Sequence, residues 1–144
     1  MTKICTTIEQ SKKLIELGID VITADMCWTN HLFNSFLSSW RVESTPPQEY
    51  KNLLDRFVVK GYLIEPAWSS DALSKFLPPY LFEFERGIDL NIYPNLNGKG
   101  WHCSYMPNCI ENMKKDKFKQ ITNGDTIIDA MFEMVCYLLE NKMI

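Results

Sequence analysis

The hydrophobic and polar positions of this chain follow two different periods. Near the N-terminus, Ile8, Leu14, Ile15 and Leu17 supply the apolar side of a predicted amphipathic helix. Thr7 and Gln10 have the spacing of a capping box, and Gly18 follows the last turn. We therefore expect a helix over residues 8–17 that ends at this glycine.

The C-terminal segment has the widest apolar stripe of the chain. The pattern predicts a helix from Thr126 to Asn141, with Asp125 as its N-cap. Such a stripe must be covered by another element, and a sheet is the natural partner. The stripe consists of Ile127, Ile128, Ala130, Met131, Met134, Val135, Leu138 and Leu139.

The segment between these two ends gives weaker helical patterns. Apolar residues recur at helical spacing over Trp28–Trp40 and again over Gln48–Phe57, where two prolines precede the second stretch. Tyr62–Trp68 is typical of an extended segment. Ser69 or Ser70 then caps a short predicted helix that a pair of prolines ends.

A strand-like pattern follows. Ile88–Tyr93 alternates apolar and polar residues throughout, and Tyr80–Arg86 alternates at its C-terminal end. Gly87 and Asn95–Gly100 are turn signals, and Trp101–Met106 is a third candidate strand. The segment predicts an antiparallel meander with one buried face and one face toward water or a partner.

These elements predict an α+β fold. We expect a small antiparallel meander of three or more strands, packed on one face by the N-terminal and C-terminal helices. The length of 144 residues suits a single domain over residues 1–144, with residues 30–60 as a candidate insertion. Apolar residues make up 46% of the chain, yet none of its apolar runs approaches the ~18 residues of a membrane span.

The charge and the cysteines indicate which partners and which cellular compartment are expected. Fifteen basic residues against eighteen acidic ones give a net charge of −3, which argues against a broad nucleic-acid-binding surface. Five cysteines at irregular spacing, without a secretory leader before them, indicate reduced thiols and a cytoplasmic protein. These cysteines are Cys5, Cys27, Cys103, Cys109 and Cys136.

A basic run near residue 115 is the exception to the acidic balance. It suits either a solvated surface or a phosphate-contacting patch, so a nucleic-acid-associated accessory factor is one alternative hypothesis. The run is formed by Lys114, Lys115, Lys117 and Lys119.

Metal or nucleophilic chemistry would need the histidines and cysteines to converge. Cys27 and His31 lack the spacing typical of zinc sites, and His102 and Cys103 point to opposite faces of a strand. We therefore predict no metal, no cofactor and no catalytic residues. A small enzyme that uses His102 with Cys103 or Cys109 stays a second alternative.

Aromatic residues make up 12% of the chain and are the least explained feature. Either they fill the core, or a subset of them is exposed and binds a partner. The favoured hypothesis is a non-enzymatic interaction protein that binds another protein, or itself, through the second face or an edge strand of the sheet, without a membrane. The candidate residues are Trp28, Trp40, Tyr93, Trp101 and Tyr105.

Four segments resemble a group of small proteins of gut bacteria and of their phages and mobile elements, for which no activity is assigned. The segments are Cys5–Leu14, Thr23–Met26, Pro66–Ser69 and Asp129–Met134. The resemblance implies an accessory protein of phage or mobile-element origin. It carries no catalytic residue onto this chain.

Overall fold

The computed structural model describes residues 3–31, 40–44, 62–81, 88–107 and 120–144. Within these residues it has three α-helices and two antiparallel sheets, one of three strands and one of four. The predicted α+β class, with helices near both ends of the chain, is therefore confirmed. The strands are divided over two sheets, whereas the sequence predicted one meander.

The chain forms two compact units. One comprises Ile4–Ala72, and the other comprises Met1–Lys3 together with Leu73–Ile144. Each unit contains one of the two sheets. The interpretation of the chain as a single domain stays a prediction.

In the unit Ile4–Ala72, helix α1 spans Ile8–Glu16 and confirms the N-terminal prediction. The backbone N–H of Gln10 donates to Thr7 Oγ1 at 3.2 Å, and the N–H of Thr7 donates to Gln10 Oε1 at 3.0 Å. This reciprocal pair satisfies two N–H groups that a helix start otherwise leaves open. Gly18 ends the helix region with a φ of +98°, which glycine adopts without strain.

The three-stranded sheet of this unit contains β1 (Met26–His31), β2 (Arg41–Ser44) and β3 (Tyr62–Ala67) in the order β2-β1-β3. Helix α1 contacts β3. The extended segment predicted over Tyr62–Trp68 is thus confirmed as β3.

The predicted helix over Trp28–Trp40 is wrong for its first four residues. Trp28 lies in β1, opposite Val42 on one side and Glu65 on the other. Pairing with two neighbouring strands outweighs the local helical spacing, because it satisfies the backbone groups on both edges of β1. Residues 32–39 and the helix predicted over Gln48–Phe57 lie outside the described residues.

Trp68 joins the beginning of this unit to its end. Its side chain is fully buried, and its backbone carbonyl accepts the N–H of Thr6 at 2.9 Å. The backbone N–H of Trp68 donates to Thr6 Oγ1 at 3.0 Å, and its indole Nε1–H donates to Thr23 Oγ1 at 3.0 Å. These bonds hold the segment before α1 against the end of β3.

A short helix, α2 (Ser70–Ser74), follows this tryptophan and confirms the predicted capped helix. The N–H of Ala72 donates to Ser69 Oγ at 3.3 Å, so Ser69 provides the cap. The N–H of Ser69 donates in turn to Asp25 Oδ1 at 2.9 Å.

The second unit contains the four-stranded sheet. Its strands are β4 (Tyr80–Leu81), β5 (Ile88–Pro94), β6 (Trp101–Pro107) and β7 (Gln120–Gly124), in the order β4-β5-β6-β7. The meander predicted from the alternation is confirmed for β5 and β6, and β7 is a strand that the sequence pattern did not predict. Residues 82–87 lie outside the described residues.

Helix α3 (Ile127–Glu140) packs against β6 and β7 and confirms the C-terminal prediction. Its N-cap is Thr126, so the predicted cap at Asp125 is wrong. Thr126 Oγ1 accepts the N–H of Asp129 at 3.2 Å, and Asp129 Oδ2 accepts the N–H of Thr126 at 3.2 Å. The spacing of three between these two residues completes a capping box, which Asp125 cannot form.

Within the part of the chain that the structure describes, we find no helix with the length and hydropathy that a membrane span requires.

The close approach of β7 and α3 gives a test of this packing. A Cβ added at Gly124 would lie 2.4 Å from the backbone nitrogen of Ala130 and 2.5 Å from the Cβ of Asp129. We expect Gly124→Ala to lower the free energy of unfolding by about 1–3 kcal/mol, because the helix backbone must move away. Urea denaturation measures the change. Asn123→Ala, at the exposed neighbouring position, is the control and should change it by less than about 0.5 kcal/mol; equal effects would contradict the packing.

Candidate functional site

The four-stranded sheet has one face against α3 and a second face on the opposite side. Thr122 Oγ1 donates to the carbonyl of Ala130 at 2.7 Å, and Gly124 lies against the same helix, which places the even-numbered residues of β7 toward α3. Side chains alternate along each strand, and the cross-strand register extends the assignment to the other strands. The second face is formed by Tyr80, Asp89, Asn91, Tyr93, His102, Ser104, Met106, Ile121 and Asn123.

Exposure varies strongly over the second face. Tyr80 and Tyr93 are 55% and 36% exposed, and Asn91 and Asn123 are exposed as well. Ser104 lies among them, at the middle of β6, and is 0% exposed. The face therefore has an exposed aromatic and amide rim around a small buried hydroxyl.

Two polar atoms of this face are buried without a hydrogen-bond partner among the described residues. They are Oγ of Ser104 and Nδ1 of His102, two residues apart on β6. An unsatisfied buried polar group costs about 1–3 kcal/mol, and native proteins contain few of them. The ring of His102 also contacts the exposed ring of Tyr93, with centroids 5.1 Å apart. The centre of the second face thus holds two buried polar atoms whose hydrogen bonds the described residues do not supply.

The reactive groups of the sheet lie on the first face. Cys103 is fully buried there, and burial raises the pKa of its thiol from 9.0 to about 12. Burial, and then the neighbouring Cys103, raise the pKa of the Tyr105 hydroxyl as well. At neutral pH the Cys103 thiol is protonated and therefore a poor nucleophile. Because His102 points to the opposite face, it is not placed to activate Cys103.

Metal ligands do not come together in the described part of the chain. Among residues 3–31, 40–44, 62–81, 88–107 and 120–144, no three side chains of His, Cys, Asp or Glu are grouped as a metal ion requires. Cys109, the second thiol of the enzyme hypothesis, lies outside these ranges.

The predicted interaction residues of the second unit have different surroundings. Tyr93 lies exposed on the second face, and Trp101 lies half-buried at the start of β6. The prediction is wrong for Tyr105, because this side chain is fully buried and its hydroxyl donates to the carbonyl of Pro78 at 2.7 Å. Its aromatic ring belongs to the core, which was the alternative interpretation of the aromatic content.

The remaining predicted residues belong to the other unit or lie outside the described residues. Trp28 and Trp40 belong to the unit Ile4–Ala72 and are half-buried, and the indole Nε1–H of Trp28 donates to the carbonyl of Thr6 at 2.9 Å. The lysines of the basic run lie outside the described residues, so the nucleic-acid hypothesis stays a prediction. These lysines are Lys114, Lys115, Lys117 and Lys119.

Most residues of the second face could not be recognised from the sequence. The alternation of Ile88–Tyr93 already indicated that Asp89 and Asn91 share a face with Tyr93. It did not single out Ser104, because a serine inside a strand carries no signal of its missing hydrogen-bond partner.

No protein-family model matches the sequence, and no curated protein or solved structure matches it significantly.

The buried thiol gives a second test. We expect Cys103 in the folded protein to resist iodoacetamide at pH 8, because its raised pKa keeps it protonated and α3 covers its face. Peptide mass spectrometry before and after unfolding in guanidinium measures the alkylation. Rapid labelling of Cys103 in the folded chain would show that its thiol is accessible and would contradict this assignment.

A pair of hydroxyl deletions tests the unpartnered serine. Ser104→Ala should leave the free energy of unfolding within about 0.5 kcal/mol of the original or raise it, because no hydrogen bond is lost. Thr122→Ala is the matched control on the adjacent strand, since its hydroxyl donates to the carbonyl of Ala130 at 2.7 Å, and should lower stability by about 1–2 kcal/mol. Chemical denaturation measures both. Equal losses would mean that Ser104 has a partner within the fold.

Proposed function

We propose that this chain is a non-enzymatic interaction protein that binds a protein partner through the second face of its four-stranded sheet. The observation that supports the proposal is the contrast between the two faces. One face is buried against α3, while the other exposes Tyr80 and Tyr93 around the unpartnered hydroxyl of Ser104.

The side chains of the second face suit protein recognition. Tyrosine is enriched at the energetically dominant positions of interfaces, because it combines a large apolar ring with a polar end. Tyr80 and Tyr93 supply two such rings, and Asn91 and Asn123 supply exposed amides.

The charge of the second face favours a protein over a phosphate-rich partner. Of its nine described residues, Asp89 is the only Asp, Glu, Lys or Arg. Nucleic-acid interfaces instead depend on several lysine or arginine contacts to phosphates. A partner that docks here therefore gains little from charge and must match the face in shape and hydrogen bonding.

An accessory role in a phage or mobile element, which the resemblance of four segments implies, agrees with this proposal. An accessory protein that acts by occupying a surface of another protein needs no catalytic group. The genes that flank this one in its source genome test the origin: structural, replication or transfer genes of a mobile element would support it, and housekeeping genes would oppose it.

Site-specific cross-linking tests the surface. A photo-reactive benzoylphenylalanine in place of Tyr93 should give a discrete protein adduct on irradiation in the cells that express the gene, because Tyr93 lies exposed on the second face. The same group in place of Glu133, which is exposed on α3, is the control. Gel electrophoresis and mass spectrometry of the adduct are the measurements. Absence of an adduct at position 93, or equal adducts at both positions, would contradict the proposal.

A further inference from the structure

Glycine follows asparagine at two places in this chain, and the structure gives the two pairs different surroundings. Asn97 and Gly98 lie in the turn between β5 and β6, and both are exposed. Asn123 and Gly124 lie in β7, where both are paired with residues of β6. The same dipeptide therefore occurs once in an open turn and once within a sheet.

An asparagine that precedes a glycine is able to cyclise without an enzyme. The backbone nitrogen of the glycine gives its proton to solvent and attacks Cγ of the asparagine. The Cγ–Nδ2 bond breaks, and the leaving nitrogen takes up a proton from solvent and departs as ammonia. Water then opens the resulting succinimide ring at one of its two C–N bonds, which gives aspartate or isoaspartate. One water is consumed and one ammonia is released, and nothing is oxidised or reduced.

We propose that Asn97 is a modification site, at which the folded chain forms this succinimide and is converted to aspartate or isoaspartate, whereas the fold protects Asn123. The reaction needs water as its only co-reactant. The inference is independent of the proposed function, because Asn97 is not part of the second face.

The space around the two glycines differs. A Cβ atom added at Gly98 would have no atom of the described residues within 4 Å, whereas one added at Gly124 would lie 2.4 Å from the backbone nitrogen of Ala130. Ring closure turns the asparagine side chain and the following peptide unit toward each other, so the glycine has to move. The absence of a Cβ atom favours this close approach at both sites. Gly98 has room to move, while Gly124 is packed against α3.

The hydrogen bonds of the turn place a donor at the oxygen that becomes negative during the attack. The N–H of Lys99 donates to Asn97 Oδ1 at 3.0 Å. Negative charge develops on this oxygen when the nitrogen of Gly98 adds to Cγ, and an N–H already directed at it stabilises the tetrahedral intermediate, as in an oxyanion hole. A second bond opposes the reaction, because the N–H of Gly98 donates to the carbonyl of Asn95 at 2.9 Å and must be released first.

The free energy of backbone opening separates the two sites. Release of one hydrogen bond in an exposed turn is a local event of low free energy. Opening at Asn123 requires β7 to leave β6 and Gly124 to leave the first turn of α3, which is a much larger unfolding event. The rate at each site is the rate in the unfolded chain multiplied by the fraction of time for which its backbone is open. The fold therefore slows the reaction of Asn123 far more than that of Asn97.

The conversion changes both the charge and the covalent connection of the turn. Either product adds one negative charge to a chain whose net charge is −3. Aspartate keeps an acceptor for the N–H of Lys99. Isoaspartate continues the main chain through its side-chain carboxyl carbon, which lengthens the connection by one atom and displaces the N–H of Gly98 from the carbonyl of Asn95. The two products therefore differ in whether the turn keeps its hydrogen bonds.

Incubation of the intact folded chain in water enriched in heavy oxygen tests the proposal. The water that opens the ring leaves its oxygen in the product, so later digestion in ordinary water adds no label. Mass spectrometry of the peptides that contain Asn97 and Asn123 measures both conversions in one sample. We expect at least about tenfold more label at Asn97 in the folded chain, and rates within about threefold of each other in guanidinium, where both backbones are open.

Two matched variants give a second readout on the intact chain. Asn97→Gln should slow the growth of the acidic species that anion-exchange chromatography resolves, because the longer glutamine side chain closes its ring far more slowly. Asn123→Gln should behave like the original chain, and circular dichroism confirms that both variants fold. The proposal is overturned if Asn97 takes up no label in the folded chain, if Asn123 takes up as much label as Asn97, or if Asn97→Gln becomes acidic as fast as the original chain.

Discussion

The four-stranded sheet depends on its cover by α3. Eight side chains of this helix are buried, and the first turn lies so close to β7 that position 124 leaves no room for a Cβ atom. The hydroxyl of Thr122 stabilises the contact between β7 and α3 by donating a hydrogen bond to the carbonyl of Ala130. Because an amphipathic helix buries one stripe, this packing commits one face of the sheet to the core and defines the other as the second face.

This division also separates two kinds of chemistry along a single strand. On β6, Cys103 and Tyr105 point toward the core, where burial raises both of their pKa values and keeps them protonated at neutral pH. His102 and Ser104 alternate with them and point the other way. The thiol and the phenol of this strand are thus protonated and unreactive at neutral pH, while Nδ1 of His102 and Oγ of Ser104 on the other side of the strand are buried without a hydrogen-bond partner among the described residues.

Features that depend on neighbours in the sequence could be predicted, and features that depend on distant strands could not. The capping box of Thr7 and Gln10 depends only on two residues three positions apart, so the start of α1 could be predicted from the sequence. At the start of α3, Asp125 and Thr126 are both suitable N-cap residues. Thr126 is the N-cap because Asp129 lies three positions after it and completes the capping box. Trp28 shows the limit, because pairing with β2 and β3 makes a strand of a segment with helical spacing. The second face could not be predicted for the same reason, because its residues come from four strands.

The burial of Ser104 and His102 separates the rim of the second face from its centre. The hydroxyl of Ser104 and Nδ1 of His102 are buried without a hydrogen-bond partner among the described residues, and such atoms lower the stability of a fold by about 1–3 kcal/mol each. The rings of Tyr80 and Tyr93 and the amides of Asn91 and Asn123 are exposed. A molecule that docked on this face would therefore contact the rim without any change in the fold, whereas it would reach Ser104 only after the atoms that cover this side chain had moved.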